Sequence, residues 1–230
     1  MTIVRDVWDA LAGVRDPELD EPLTELGFVA AVRVDGPRVR VRLRLPTYFC
    51  APNFAWLMVE DSRSAVLSVE GVEDAVVELD DHFASDEING ALSRGAGFEQ
   101  AFAGETLGEL TELRDLFARK AFVARQARVC DALLRAGRTP DEVAALRLAD
   151  LEPGPDLARC LALRTQLGID ASPAAPAFVL PDGRPLDAAG LERWLRMARL
   201  VRVSIEGNAG ICRALLKTRY GLRDPEEVAA

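Results

Sequence analysis

The stretch "VRVDGPRVRVRLRLPTYFCAP", residues 32–52, decides how the first part of the chain folds. Arg38, Arg40, Arg42 and Arg44 alternate with Val39, Val41, Leu43 and Leu45. A strand sends successive side chains to opposite faces, so the arginines share one face and the apolar residues the other. Just upstream, "FVAAVRV" (28–34) reads as a second strand, and Asp35-Gly36-Pro37 between the two is a hairpin turn signal. Downstream, the chain leaves the ladder at Pro46 and reaches Cys50 immediately before a helix that opens near Pro52-Asn53 and is marked by Phe54, Leu57, Met58 and Ala65.

Working outward, Ile3, Val7, Ala10 and Leu11 recur at helical spacing, and Gly13 is placed to end that helix. "RDPELDEPLTELG" (15–27) has two prolines and five acids and reads as a structured loop. After a turn at Glu70-Gly71, "VEDAVVEL" (72–79) is a third strand. The fold class expected is α+β: a small α-β-β-α-β domain with a three-stranded sheet over residues 1–80, then a mostly α-helical C-terminal domain. "DDHFASDEINGALSRGAG" (80–97) is polar and contains glycine, so residues 81–105 read as a connector and 106–230 as the helical domain. On this reading residues 1–80 stand alone, and limited proteolysis cuts first within 80–97. Within the helical part, Gly137 is a stop signal, Thr139-Pro140-Asp141-Glu142 a capped start, "AFVLPDGRPL" (177–186) a small hairpin, and Asp187 the cap of a further helix.

Of 230 residues, 49% are hydrophobic, enough for a packed core, and the net charge of −9 argues against a general nucleic-acid coat. The opening "MTIVRDVWDALAG" is too polar for a signal peptide, and no apolar run is long enough to span a membrane. Four cysteines without a CxxC pair fit a reduced, cytoplasmic protein. A single histidine, His82, argues against a Ser-His-Asp triad or a histidine-rich metal site; in "LDDHF" it reads as a solvated or capping residue.

The cysteines sort by neighbourhood. Cys130 lies on a stripe with Leu116, Val123, Ala127 and Leu134; Cys160 with Leu157, Leu163 and Leu167; Cys212 with Ile205, Ala209 and Leu216. A free cysteine on an apolar stripe behaves as a small buried hydrophobe, so all three read as core. Cys50 differs, because it stands at a helix start. Unpaired N–H groups and the positive end of the helix dipole favour a thiolate there, the form that binds metal or attacks an electrophile.

"VRDPELDEPLTELGFVAAVRV" followed by "LPTYFCAP" resembles the SufT/PaaD-like family of iron–sulfur cluster assembly factors over about residues 3–80. Val14, Asp16, Pro17, Glu18, Leu19, Leu26, Gly27, Thr47, Cys50 and Pro52 carry the likeness. The usual Gly-Cys-Pro is here Phe49-Cys50-Ala51-Pro52, a bulkier wall, and the C-terminal cysteine cluster of PaaD proteins is missing. The resemblance implies a chaperone-like, non-catalytic factor for metalloprotein maturation. Cys50 would be its metal or cofactor-binding thiolate, Asp16 and Glu18 would orient the site or bind metal beside it, and Thr47 would hydrogen-bond the Cys50 sulfur or cap the helix. The cargo would be an iron–sulfur cluster or iron, held transiently. One cysteine cannot complete a four-ligand site, so a second subunit, a small thiol or the client must add ligands. The implied partners are a client metalloprotein, with a multicomponent oxygenase among the family's clients, or the assembly machinery, and a homodimer.

Two other readings stay open at this level. Residues 128–150 have the helix, glycine turn and capped helix of a helix-turn-helix, which would make a DNA-binding regulator. A thiol-based enzyme would use Cys50 with Asp16 or Glu18 as base. The arginine ladder is either the solvated face of a one-sided sheet or a docking stripe for an acidic surface, a partner's or the chain's own second half. Sorting the cysteines this way predicts that alkylation of the native protein reaches Cys50 before Cys130. Faster labelling of Cys130 would overturn it.

Overall fold

The computed structural model of the protein describes residues 2–103 and 110–222. Residues 106–109 and 223–230 of the expected helical domain, and 104–105 of the expected connector, lie outside the described residues. In chain order the elements are α1 (Thr2–Ala12), β1 (Val29–Asp35), β2 (Arg38–Arg44), α2 (Pro52–Leu67), β3 (Asp74–Asp80), α3 (Ser85–Ser93), α4 (Phe98–Ala101), α5 (Leu110–Arg135), α6 (Pro140–Ala145), a 3₁₀ turn at Leu148–Asp150, α7 (Pro155–Gln166) and α8 (Ala188–Tyr220). The class is α+β. The chain forms two compact units, one built from residues up to Leu110 and from Gly207 onward, the other from Thr111–Glu206.

The first unit is organised by its sheet, in the order β1-β2-β3. β1 and β2 are antiparallel, with Asp35 facing Arg38 across Gly36-Pro37. Gly36 takes φ 58°, the conformation a tight two-residue hairpin requires at its first central position. β3 then pairs parallel with β2, which is possible only because α2 carries the chain back across the sheet. The face bearing Val39, Val41, Leu43, Ala75, Val77 and Leu79 is buried. α1 adds Val7 and Leu11 to that core, and α2 adds Ala55, Trp56, Met58, Val59 and Val66.

Two of the four arginines on the ladder pair with acids of β3. Arg38 lies 3.8 Å from Asp74 and Arg42 2.6 Å from Asp80, both across the β2–β3 ladder. Exposed pairs of this kind contribute little stability, but they offset part of the charge of the stripe. Arg44, at the end of the ladder, stacks over Tyr220 at 5.2 Å and donates to the Gly27 carbonyl at 3.2 Å.

Two parts of this unit depart from the expected boundaries. Segment 81–105, read as a connector, contains α3 and α4, and its Ala84, Ile88, Ala91, Phe98 and Phe102 are buried in the same core. Its polar character misleads because Asn89 is used structurally: its side chain accepts from Leu79 N–H at 2.9 Å and donates to the Leu79 carbonyl at 3.1 Å, satisfying the open edge of β3. The second departure is the end of α8, assigned to the helical half. Ala209 and Leu216 are buried in the first core. Gly27 sits at φ 76°, and a Cβ there would come within 3.2 Å of Leu216 Cδ2, so both its backbone and its lack of a side chain admit the helix.

The second unit is helical. Gly137 at φ 92° closes α5, and Thr139 and Glu142 form the reciprocal capping box that opens α6. Asp187 accepts from Gly190 N–H at 2.7 Å at the start of α8. The expected hairpin at 177–186 closes through the Val179–Pro185 bridge, with Leu180 N–H donating to the Arg184 carbonyl at 2.8 Å and Leu186 N–H to the Phe178 carbonyl at 3.1 Å, and Gln126 is hydrogen-bonded to both backbone groups of Val179. Arg164 is buried, and its guanidinium donates to the carbonyls of Asp170, Pro176 and Ala177. Cys130 and Cys160 are buried here, as their stripes predict, although Leu116 at the head of the first stripe is exposed.

Leu216 is therefore part of the first unit's core. Leu216→Ala should cost about 2–5 kcal/mol in denaturant unfolding of that unit. A loss below about 0.5 kcal/mol would show that the helix end is only resting on the surface.

Candidate functional site

The site forms where β2 hands over to α2. Leu45 and Pro46 leave the sheet, and Thr47–Cys50 make the loop before Ala51, the extended residue that precedes α2. Pro52 occupies the first helical turn, where its missing N–H costs nothing. Thr47 Oγ1 lies 3.2 Å from Cys50 Sγ, with either group able to donate. No side chain caps α2, so of the two expected Thr47 contacts the one made is with sulfur.

The loop is fixed from behind by His82. His82 Nε2 donates to the Cys50 carbonyl at 2.8 Å, while Nδ1 accepts from Ala84 N–H at 3.2 Å, which sets the tautomer as neutral with the proton on Nε2. Burial holds the imidazole below its usual pKa; the Cys50 carbonyl opposes this and the nearby Arg219 reinforces it. The solvated alternative for His82 is thus corrected: it is buried, and it caps Ala84 while holding the cysteine loop. Phe83 N–H also donates to the Tyr48 carbonyl at 3.1 Å. Phe49, expected as a wall in place of glycine, turns outward and is 76% exposed. It clusters with Tyr48 and Phe83, at ring-centroid distances of 5.0 and 6.1 Å.

Asp16 and Glu18 come from the loop between α1 and β1. Asp16 Oδ1 accepts from the N–H groups of both Glu18 and Leu19 at 2.9 Å, which folds the loop tightly around the carboxylate. Burial pushes the Asp16 carboxyl up to about 6, against the lowering effect of those two hydrogen bonds and with help from the charges of Glu18 and Glu21. Asp16, Glu18 and Cys50 line one cavity of about 240 Å³, together with Leu19, Phe28, Leu45 and Met58. Thr47 does not line it but touches it through the Cys50 sulfur.

One further polar residue lines this cavity, and sequence reasoning missed it: Cys212, from the end of α8. Its apolar stripe is real, since Ala209 and Leu216 are buried. The stripe faces the DPE loop, however, and Cys212 falls at the cavity wall, only half-buried. Nothing local in the sequence signals this, because the partner surface is almost 200 residues away in the chain. Among the described residues, no three of His, Cys, Asp or Glu are grouped so that they could hold a metal ion. None of their helices is long and apolar enough to cross a membrane.

Comparison with known proteins places this domain. Residues 5–79 match the model of a family described as "Iron-sulfur cluster assembly protein". The chain is also 30% identical over 93 residues to the "Uncharacterized protein MJ1129" of Methanocaldococcus jannaschii, an alignment covering 40% of this chain and 96% of that relative. The chain belongs to the iron–sulfur cluster assembly protein family through this N-terminal domain.

The Asp16 environment has a consequence for stability. The folded state holds this proton to about pH 6, whereas the unfolded chain releases it near 3.8. Between those values the folded state binds more protons, so stability falls as pH rises through the window. Asp16→Asn keeps the Oδ1 acceptor and removes the titration. The variant should gain about 3 kcal/mol relative to wild type between about pH 4 and pH 6, as measured by denaturant unfolding at a series of pH values. Parallel stability curves would refute the assignment.

Proposed function

We propose that this protein is a maturation factor that holds iron or an iron–sulfur cluster transiently and hands it to a client metalloprotein, without enzymatic turnover. The observation that carries the reading is the setting of Cys50: a thiol on the wall of a mostly apolar cavity, with Asp16 and Glu18 beside it and Thr47 on its sulfur, inside an assembly-family domain. A soft thiolate suits iron, and the carboxylates offer hard oxygen donors or a place for the proton displaced on binding. An incomplete ligand set suits release, because the client supplies the missing ligands as it takes the cargo. The exposed aromatic rings of Tyr48, Phe49 and Phe83 beside the loop offer the client an apolar contact. The second unit is assigned to client recognition, since residues 5–79 carry the assembly-family match and Thr111–Glu206 folds as a body of its own. A component of a multicomponent oxygenase is the client to test first.

The helix-turn-helix reading has less support. α6 spans six residues and opens with exposed Asp141 and Glu142, which would repel phosphate.

The test is transfer. Reduced protein, ferrous iron and sulfide are mixed anaerobically, and formation of holo-ferredoxin from apo-ferredoxin is followed by visible absorption. The wild type should accelerate formation, and Cys50→Ser should not, with both proteins unfolding at the same denaturant midpoint. Equal rates for the two would sink the proposal.

A further inference from the structure

The cavity at Cys50 has a second sulfur on its wall, and it lies outside residues 5–79, the part of the chain that matches the assembly family. We propose that Cys212 is a second thiolate ligand for the thiophilic metal cargo, so that the cavity is a two-sulfur half-site completed by the client. This rests on the functional reading above and extends it to a residue that the family domain does not contain.

Three observations support the assignment. The first is position. Along the end of α8, Ala209 and Leu216 are buried in the core, while Cys212 between them packs against that core, is only half-buried and lines the cavity.

The second is anchoring. The helix end is tied to the loops that carry the other site residues. Asn208 Nδ2 donates to Glu18 Oε1 at 3.3 Å, and Arg213 Nη1 pairs with Glu21 Oε2. Arg219 donates to the Leu45 carbonyl at 3.1 Å and pairs with Asp81 at 2.7 Å. These contacts lie on both sides of Cys212 in the chain. They grip the DPE loop, the end of β2 and the turn before His82, so the thiol is held in place relative to Cys50. Ligands positioned before a metal arrives are what a specific site requires.

The third is chemistry. Cys50, Cys212, Asp16 and Glu18 line one cavity whose other lining residues are apolar. A thiol becomes a ligand by giving up its proton to solvent or to a neighbouring carboxylate as the cation binds. Soft thiolates select iron over the abundant hard cations, which prefer an all-oxygen shell.

The test is an anaerobic titration of the reduced full-length protein with Co²⁺, a spectroscopic stand-in for Fe²⁺, read by thiolate-to-cobalt charge-transfer absorption. Wild type should show the intensity of two sulfur ligands. Cys212→Ser and Cys212→Ala should each show about half that intensity and bind Co²⁺ at least about tenfold more weakly. Cys50→Ser should do the same, and the double variant should give no charge-transfer band. Cys130→Ser, altered in the other unit, should match wild type. Two substitutions at position 212 guard against a folding artefact, and a thermal melt of each confirms the fold. If both Cys212 variants match wild type while Cys50→Ser loses the whole band, the inference is overturned and the function assigned to Cys50 survives. If wild type gives no charge-transfer band at all, both fall.

Discussion

A three-stranded sheet of seven-residue strands has one apolar face, and the need to cover that face governs the first unit. Two helices do not finish the task. α1 and α2 supply much of the cover, α3 and Phe98 extend it, and the last turns of α8 close the remainder through Ala209 and Leu216. Each addition follows from the same driving force, removal of apolar surface from water. Gly27 is the local condition for the last step, since its left-handed backbone and bare Cα give Leu216 its place.

The site is a by-product of the same geometry. A parallel β2–β3 pair requires a crossover, and the crossover places Cys50 just beyond the end of a strand and just before a helix. The loop that folds around Asp16 and the end of α8 then wall in a cavity with few polar atoms. In that setting a carboxyl and a thiol are both harder to ionise than in water, which is the direction seen for Asp16 and Cys212. His82 contributes without facing the cavity: its neutral ring bridges the Cys50 carbonyl and the Ala84 N–H, and so ties the cysteine loop to the segment after β3.

The chain's charges have local uses. Arg38 and Arg42 of β2 pair with Asp74 and Asp80 of β3, so part of the stripe is balanced inside one sheet, while Arg40 stands opposite Val76. Arg44 is stacked on Tyr220 at the end of α8. In the second unit Asp131 receives both Arg199 and Arg202, and these hydrogen bonds and charges hold its carboxyl below the usual carboxylate range despite the burial that opposes them.

The sequence by itself determined whatever depends on neighbours in the chain. Period-two alternation specified β1 and β2, Gly36 the hairpin, Thr139 with Glu142 the start of α6, and the motif order from Asp16 to Pro52 the family. It also set Cys50 apart from Cys130 and Cys160, because a loop before a helix and an apolar stripe are both visible locally. Tertiary structure alone decided which surface each stripe covers. An apolar stripe records that a face will be buried, not what buries it, since hydrophobic attraction has no direction and no address. That is why Cys212 read as core and, packed against that core, also lines the cavity, and why His82, read as solvated or capping, is buried against the Cys50 carbonyl. It is also why a polar segment read as a connector packs along β3, where Asn89 satisfies a strand edge that only the folded sheet creates.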